Sequence, residues 1–161
     1  MSIIVVMGVA GSGKTTIGML LAARLGCPFT DADTLHSAAN KAKMAAGLPL
    51  DDADRQPWLA SVRAAIETAQ RAGQPHVFAC SALKAAYRDA LSQGDTAIRF
   101  VFLHGSPALL AERLAGRSGH FFNPALLDSQ LATLEAPIGA LQIDIAAPPA
   151  SIVTRILAAL Q

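Results

Sequence analysis

The sequence predicts an α/β fold with helices layered around one parallel sheet, and three observations carry that expectation. Short β-branched or apolar runs alternate along the chain with stretches of helical periodicity, the pattern of strand–helix units joined by right-handed crossovers. The first unit encloses a glycine loop, Gly8-Val9-Ala10-Gly11-Ser12-Gly13-Lys14-Thr15, that fits the phosphate-binding pattern G-x-x-x-x-G-K-[ST] at every fixed position. With 161 residues the chain has length for one domain, spanning 1–161, and one core.

Composition narrows the function. Hydrophobic residues make up 52% of the chain and charged residues 16%, but the apolar runs are short and interrupted, so they read as buried strands and alanine-rich helices rather than membrane spans. A formal net charge of +1 argues against a nucleic-acid or membrane surface and leaves small anionic ligands as the better expectation. No basic stretch precedes an apolar segment at the N-terminus, so the expected location is the cytoplasm. Cys27 and Cys80 lack metal-ligand spacing and read as core residues.

Residues 3–7, Ile-Ile-Val-Val-Met, suit a buried parallel strand, and residues 16–25 carry Ile17, Leu20, Leu21 and Leu25 at helical spacing. Glycines in the loop between them let the backbone approach phosphate oxygens, while the helix start aims unpaired N–H groups and its positive dipole end at the same place. The nucleotide contacts expected there are Gly8, Ala10, Gly11, Ser12, Gly13 and Thr16, with Lys14 on the β- and γ-phosphates and Thr15 on Mg²⁺.

Gly26 stops that helix, and residues 27–30 form a second strand delivering Asp31 and Asp33 to its carboxyl end, where open α/β sheets bind ligands. One carboxylate can hold Mg²⁺, directly or through water, and the other can accept a proton from an attacking hydroxyl; Asp33 equally suits a helix cap. Residues 34–46 read as one helix with His36, Asn40, Lys43 and Met44 along one side, either a solvated stripe or, for His36, a ligand contact. Asp51 to Trp58 open the next helix, with Pro57 in its first turn and one of the acids as cap. Arg55 then sets a cation against the helix dipole, which either a bound anion or the neighbouring Asp residues would explain. Leu59, Val62, Ile66 and Ala69 give residues 58–72 an apolar face, and Trp58 suits the core better than a ligand platform.

A third strand over 76–80 ends at Ser81, read as the cap of a helix running through Leu91. On it Lys84 and Arg88 present two cations, either solvated surface or substrate contacts. Residues 98–103 form the fourth strand, and Ser106-Pro107 starts a helix reaching about Ala115. Arg113 and Arg117 flank Gly116, and the stretch to Phe122 suits a lid, about 117–123, closing over a triphosphate; an ordinary polar helix end is the alternative. Residues 141–145 form the fifth strand, followed by the rigid Ala147-Pro148-Pro149 loop and a closing helix.

The stretches M-G-V-A-G-S-G-K-T, D-A-D-T-L-H-S with Asn40 and Lys43-Met44, G-L-P-L-D-D-A-D-R-Q-P-W-L, C-S-A-L-K with Y-R-D, and R-S-G-H-F-F with L-E-A-P run nearly end to end. Together they resemble the bacterial-type gluconokinase family of shikimate-kinase-like P-loop kinases. The glycine loop is common to many NTPases, so D-R-Q-P-W-L, C-S-A-L-K and G-H-F-F carry the specific part of the likeness. The resemblance implies a three-layer P-loop kinase fold with a five-stranded parallel sheet of order 2-3-1-4-5 and a small lid. It also implies ATP and Mg²⁺ as cofactors, transfer of the γ-phosphoryl group to the 6-hydroxyl of D-gluconate, and often a homodimer. Residue by residue, Asp33 looks like the carboxylate that orients and deprotonates the acceptor hydroxyl, and Asp31 like a Mg²⁺-water ligand. His36, Lys43, Arg55, Ser81, Lys84 and Arg88 look like acceptor-site residues, with Arg55 or a lysine facing the gluconate carboxylate. Arg113, Arg117 and His120 resemble the lid, Arg117 in a catalytic role, with Arg113 and the Pro148 loop sandwiching adenine. Ala32 stands where the family usually has Gly, and Ser37 where it usually has Pro. Two other readings stay open: a kinase of another small hydroxy acid such as shikimate, and a nucleotide-binding switch without transfer chemistry.

Overall fold

The structure, a computed structural model, describes residues 2–116 and 124–160. Its first strand, β1 (Ile3–Met7), is buried along its whole length because it lies at the centre of the sheet, between β3 (His76–Ala79) and β4 (Ile98–His104). Val5 is flanked by Phe78 on one side and Phe100 on the other. β2 (Phe29–Asp31) and β5 (Leu141–Asp144) form the edges, every pairing is parallel, and the order β2-β3-β1-β4-β5 is the one expected. A strand covered on both faces can be continuously apolar, which is why Ile-Ile-Val-Val-Met shows no alternation.

Seven α-helices accompany the strands among the described residues: α1 (Lys14–Leu25), α2 (Ala38–Ala45), α3 (Asp52–Ala72), α4 (Ala85–Ser92), α5 (Pro107–Ala115), α6 (Pro124–Thr133) and α7 (Pro149–Leu160). α1 packs against α7 and the sheet, and α3 against α4. The chain moves one way from β1 to β2 and the other way afterwards, so right-handed crossovers place α1 and α3 on opposite faces. Trp58, Val62 and Ile66 of α3, Ile17 and Leu21 of α1 and Ile152, Val153 and Ile156 of α7 are among the helical residues of the core. Cys80 is buried in that core and Cys27 packs half-buried against it.

Three local expectations are corrected. Residues 34–46 are not one helix: a 3-10 turn (Ala32–Leu35) ends at His36, whose ψ of 148° is extended, and α2 begins afresh. The break has a chemical cause in Ser37, whose hydroxyl accepts from Asn40 N at 3.1 Å and caps the new helix. Pro57 lies inside α3 rather than in its first turn, because Asp51 and Asp54 form a reciprocal capping box that starts the helix at Asp52. Ser81 caps nothing; α4 starts at Ala85, whose N–H donates to Glu135 Oε1 at 2.8 Å, a cap supplied from 50 residues away.

Candidate functional site

The donor side is built by backbone. Gly8 has φ 151°, and a Cβ there would lie 2.7 Å from both Leu103 O and Ser12 Oγ, so only glycine lets the loop fold this closely over β4. Gly13, at φ 88°, is the N-cap of α1 and brings no capping side chain, which leaves the first amides of the helix for a ligand. Lys14 Nζ donates to Val9 O at 3.2 Å, arching over the loop. Thr15 Oγ1 donates to Asp31 Oδ2 at 3.2 Å and so joins the start of α1 to the end of β2. A hydroxyl and a carboxylate at that spot are hard oxygen ligands of the kind Mg²⁺ takes when phosphates and waters complete its shell. No cluster of three or more His, Cys, Asp or Glu side chains that could hold a metal ion occurs among the described residues.

The acceptor side is built by side chains. A cleft of about 160 Å³ opens beside the loop, with Lys14 and Thr15 on one wall and Asp33, His36, Arg55 and Ser81 on the other. Asp31 Oδ1 accepts from Asp33 N at 3.0 Å, so Asp31 caps the 3-10 turn and leaves the Asp33 carboxylate to the cleft. Asp33 as a residue is exposed, yet the groups packed around its carboxyl desolvate it and raise its pKa, a rise that Lys14 opposes and Asp31 adds to. His36 is buried, and burial together with Arg55 and Lys41 lowers its pKa to about 4, so the ring is neutral. Its ring stacks on Trp58 with centroids 4.2 Å apart, and Trp58 Nε1 donates to Ala32 O at 2.8 Å. Arg55, one turn into α3, is buried and donates to Tyr87 Oη at 3.0 Å. Tyr87 in turn donates to Asp52, which also holds Lys84 Nζ at 3.0 Å.

Several residues expected at the site stand elsewhere. Arg88 is buried and donates to Ala82 O at 2.8 Å and Glu135 O at 2.8 Å, which makes it a clamp on the Ser81 turn rather than one of two outward cations. That turn needs a clamp, since Ala82 holds φ 46°, a left-handed conformation that a Cβ disfavours. Glu135 N donates to Leu83 O at 2.7 Å, so the C-S-A-L-K and L-E-A-P segments bind each other directly. Lys43 pairs with Asp54 at 2.9 Å, and Lys84 with Asp52, both outside the cleft lining. Arg113 donates to Ile145 O at 2.5 Å and borders a hollow of about 300 Å³ beside Gly13 and Thr16. The proline lining that hollow is Pro149, the first residue of α7, and not its neighbour Pro148. Arg117, His120 and the lid, about 117–123, lie outside the described residues.

A larger open groove, about 740 Å³, runs between α4 and β5, away from the loop, and its Arg88 and Arg99 are committed to backbone carbonyls. The residues that sequence reasoning missed are Ser129 and Gln130 of α6, which close the cleft. Gln130 Oε1 accepts from Ala10 N in the glycine loop at 2.7 Å, across 120 residues. No spacing rule marks a lone glutamine on an apolar helix, so this contact left no sequence signal.

Known proteins resemble this chain over most of its length. The shikimate kinase family model matches residues 10–137. A probable gluconokinase of Dictyostelium discoideum is 52% identical over 141 residues, covering 84% of this chain and 70% of that protein. The gluconokinase of Gluconobacter oxydans strain 621H is 51% identical over 134 residues, covering 83% of this chain and 75% of that protein. A solved gluconokinase structure from Sinorhizobium meliloti 1021 superposes with a TM-score of 0.89 at 46% identity, covering 99% of this chain and 91% of that one.

Proposed function

We propose that this chain, which belongs to the gluconokinase family, transfers the γ-phosphoryl group of ATP to the 6-hydroxyl of D-gluconate, giving 6-phospho-D-gluconate and ADP. The observation that carries the reading is one cleft in which Asp33 faces Lys14 and Thr15, with His36 and Arg55 beside it. Phosphoryl transfer asks chiefly for alignment and charge stabilisation, plus a group to orient the nucleophile. The loop amides and Lys14 would hold the β- and γ-phosphates, and Thr15 with Asp31 would hold Mg²⁺. Mg²⁺, when bound, supplies neutralisation of the charge that develops on the phosphate oxygens.

Asp33 would accept the proton of the attacking hydroxyl. Its raised pKa suits that work, because a base is most effective when its proton affinity lies near the working pH. Arg55, braced by Tyr87, would fix the gluconate carboxylate and so set which end of the chain reaches the phosphate. Shikimate also carries a carboxylate, so Arg55 alone does not choose between acceptors; the 51–52% identity to the two gluconokinases named above favours gluconate.

The test is ADP formation by purified protein with ATP and each acceptor in turn. Release that requires D-gluconate, stops on magnesium chelation and resumes on adding Mg²⁺ is expected. Release with shikimate instead would move the acceptor, and acceptor-independent hydrolysis would favour a switch. A homodimer belongs to the same reading, and sedimentation equilibrium measures it. Among the described residues no helix is long and apolar enough to cross a membrane.

A further inference from the structure

We propose that Asn40 is a positioning residue that holds His36 as the Nε2–H tautomer, so that the ring offers the acceptor cleft a neutral hydrogen-bond donor. The second half of this statement rests on the gluconate reading; the first does not.

The tautomer follows from two contacts of one amide. Asn40 is buried on α2, and its Nδ2 lies 2.8 Å from Asp54 O. A backbone carbonyl can only accept, so the atom facing it is the NH₂ and the amide orientation is fixed. The same NH₂ lies 3.2 Å from His36 Nδ1. An NH₂ group cannot accept, so Nδ1 must present its lone pair, and the proton of the neutral ring sits on Nε2. The ring plane is fixed independently, stacked at 12° on Trp58, which is itself anchored to Ala32 O.

Nε2 has no protein partner among the described residues, and it is not sealed from solvent, since Ser12 Oγ is the one described buried side-chain atom left unpaired. The ring lines the cleft together with Asp33 and Arg55. The charged groups acting on the ring are cations, Arg55 from α3 and Lys41 from α2. The Asp54 carboxylate on α3 is held by Lys43 and by Asp51 N. Nothing therefore draws a second proton onto the imidazole, and burial pushes the same way.

A neutral donor is what a polyol needs next to these neighbours. Asp33 accepts from a hydroxyl, and Nε2–H would donate to a hydroxyl lone pair, so the two recognise alcohol rather than carboxylate. An imidazolium there would give an acceptor carboxylate a second cationic anchor beside Arg55 and permit the chain to bind end for end. Asn40 would thus contribute to the orientation of the acceptor without touching it.

The experiment is long-range ¹H–¹⁵N correlation spectroscopy on the whole protein labelled at its four histidines, with His36 assigned through His36→Gln. An unprotonated Nδ1 and a protonated Nε2 on His36 at neutral pH are expected; a protonated Nδ1 would overturn the proposal whatever the enzyme phosphorylates. Asn40→Ala should leave both tautomers populated and raise the gluconate KM about tenfold, the effect of one hydrogen bond, with the KM for ATP unchanged. In a His36→Gln background, where the side-chain amide donates without any tautomer to set, Asn40→Ala should have no further effect on the gluconate KM. An equal loss in both backgrounds would show that Asn40 acts on the fold alone and would contradict the proposal. Should Asn40→Ala fail to fold, the wild-type spectrum still decides the tautomer. A spectrum as expected with no gluconate-dependent turnover would remove the proposed function and leave the tautomer standing.

Discussion

The two walls of the cleft are made differently. The donor wall is one continuous segment, β1 through the start of α1, and its working groups are backbone amides exposed by glycine geometry with the adjacent Lys14 and Thr15 side chains. The acceptor wall draws on the 3-10 turn, α2, α3, the Ser81 turn and α6, and its working groups are side chains that brace one another. A backbone device is written in adjacent residues and serves any nucleoside triphosphate. A side-chain device assembled across the chain can be tuned to one acceptor, and a fault in any member reaches the others.

Substitutions on the two walls should therefore fail in different ways, and the largest effect belongs to the donor wall. Lys14→Ala is expected to lower kcat/KM for gluconate about 10³-fold and to weaken ATP binding, measured by coupled ADP assay and by calorimetry. Unchanged ATP affinity would remove the phosphate role of the loop lysine. Asp33→Asn should lower kcat about 10²-fold while ATP binding stays near normal, which separates the walls directly.

The same variant carries a stability signature. Because the folded-state pKa of Asp33 is raised, the native protein binds its proton more tightly than the unfolded chain, and stability from this group is lost as pH rises through that folded value. Asp33→Asn should then melt at a higher temperature than wild type at pH 7, as sites held for function often do when relaxed. His36 has the opposite sign. Its pKa falls from 6.5 to about 4 on folding, so stability is full above 6.5 and is lost as pH drops across that window; His36→Gln should flatten the Tm profile between those limits.

Arg88→Ala addresses the brace behind the acceptor wall. It removes three hydrogen bonds, of which those to Ala82 O and Glu135 O have no other described donor to replace them, and is expected to destabilise by about 3 kcal/mol, read by denaturant melts. A selective rise in gluconate KM with normal stability would return Arg88 to the acceptor site. Lys43→Ala should do least, a small Tm change and near-normal kinetics, since its exposed pair with Asp54 lies outside the cleft.

Legibility in the sequence followed the same division. The glycine loop, β1 and the strand–helix alternation were readable because each is a local pattern, and Asp33 could be placed because strand ends in this architecture converge on ligands. The acceptor wall was readable as residue types but not as partnerships. Arg88 read as an outward cation because a helix face seen in one dimension does not show the Ser81 turn and Glu135 folding back over it. Ser81 read as a cap because the cap that replaces it comes from Glu135. The resemblance named D-R-Q-P-W-L and C-S-A-L-K as a set, and the structure supplies the reason they occur together: Arg55 of the first binds Tyr87, next to the second.

The most direct measurement is a competition, with the protein given ATP, Mg²⁺ and equal concentrations of D-gluconate and shikimate, and the products read by ³¹P and ¹³C NMR. A single phosphate ester on the 6-oxygen of gluconate, missing in Asp33→Asn over the same time, is the expected result. Phosphorylated shikimate, or an ester on another gluconate oxygen, would contradict the assignment of the acceptor wall.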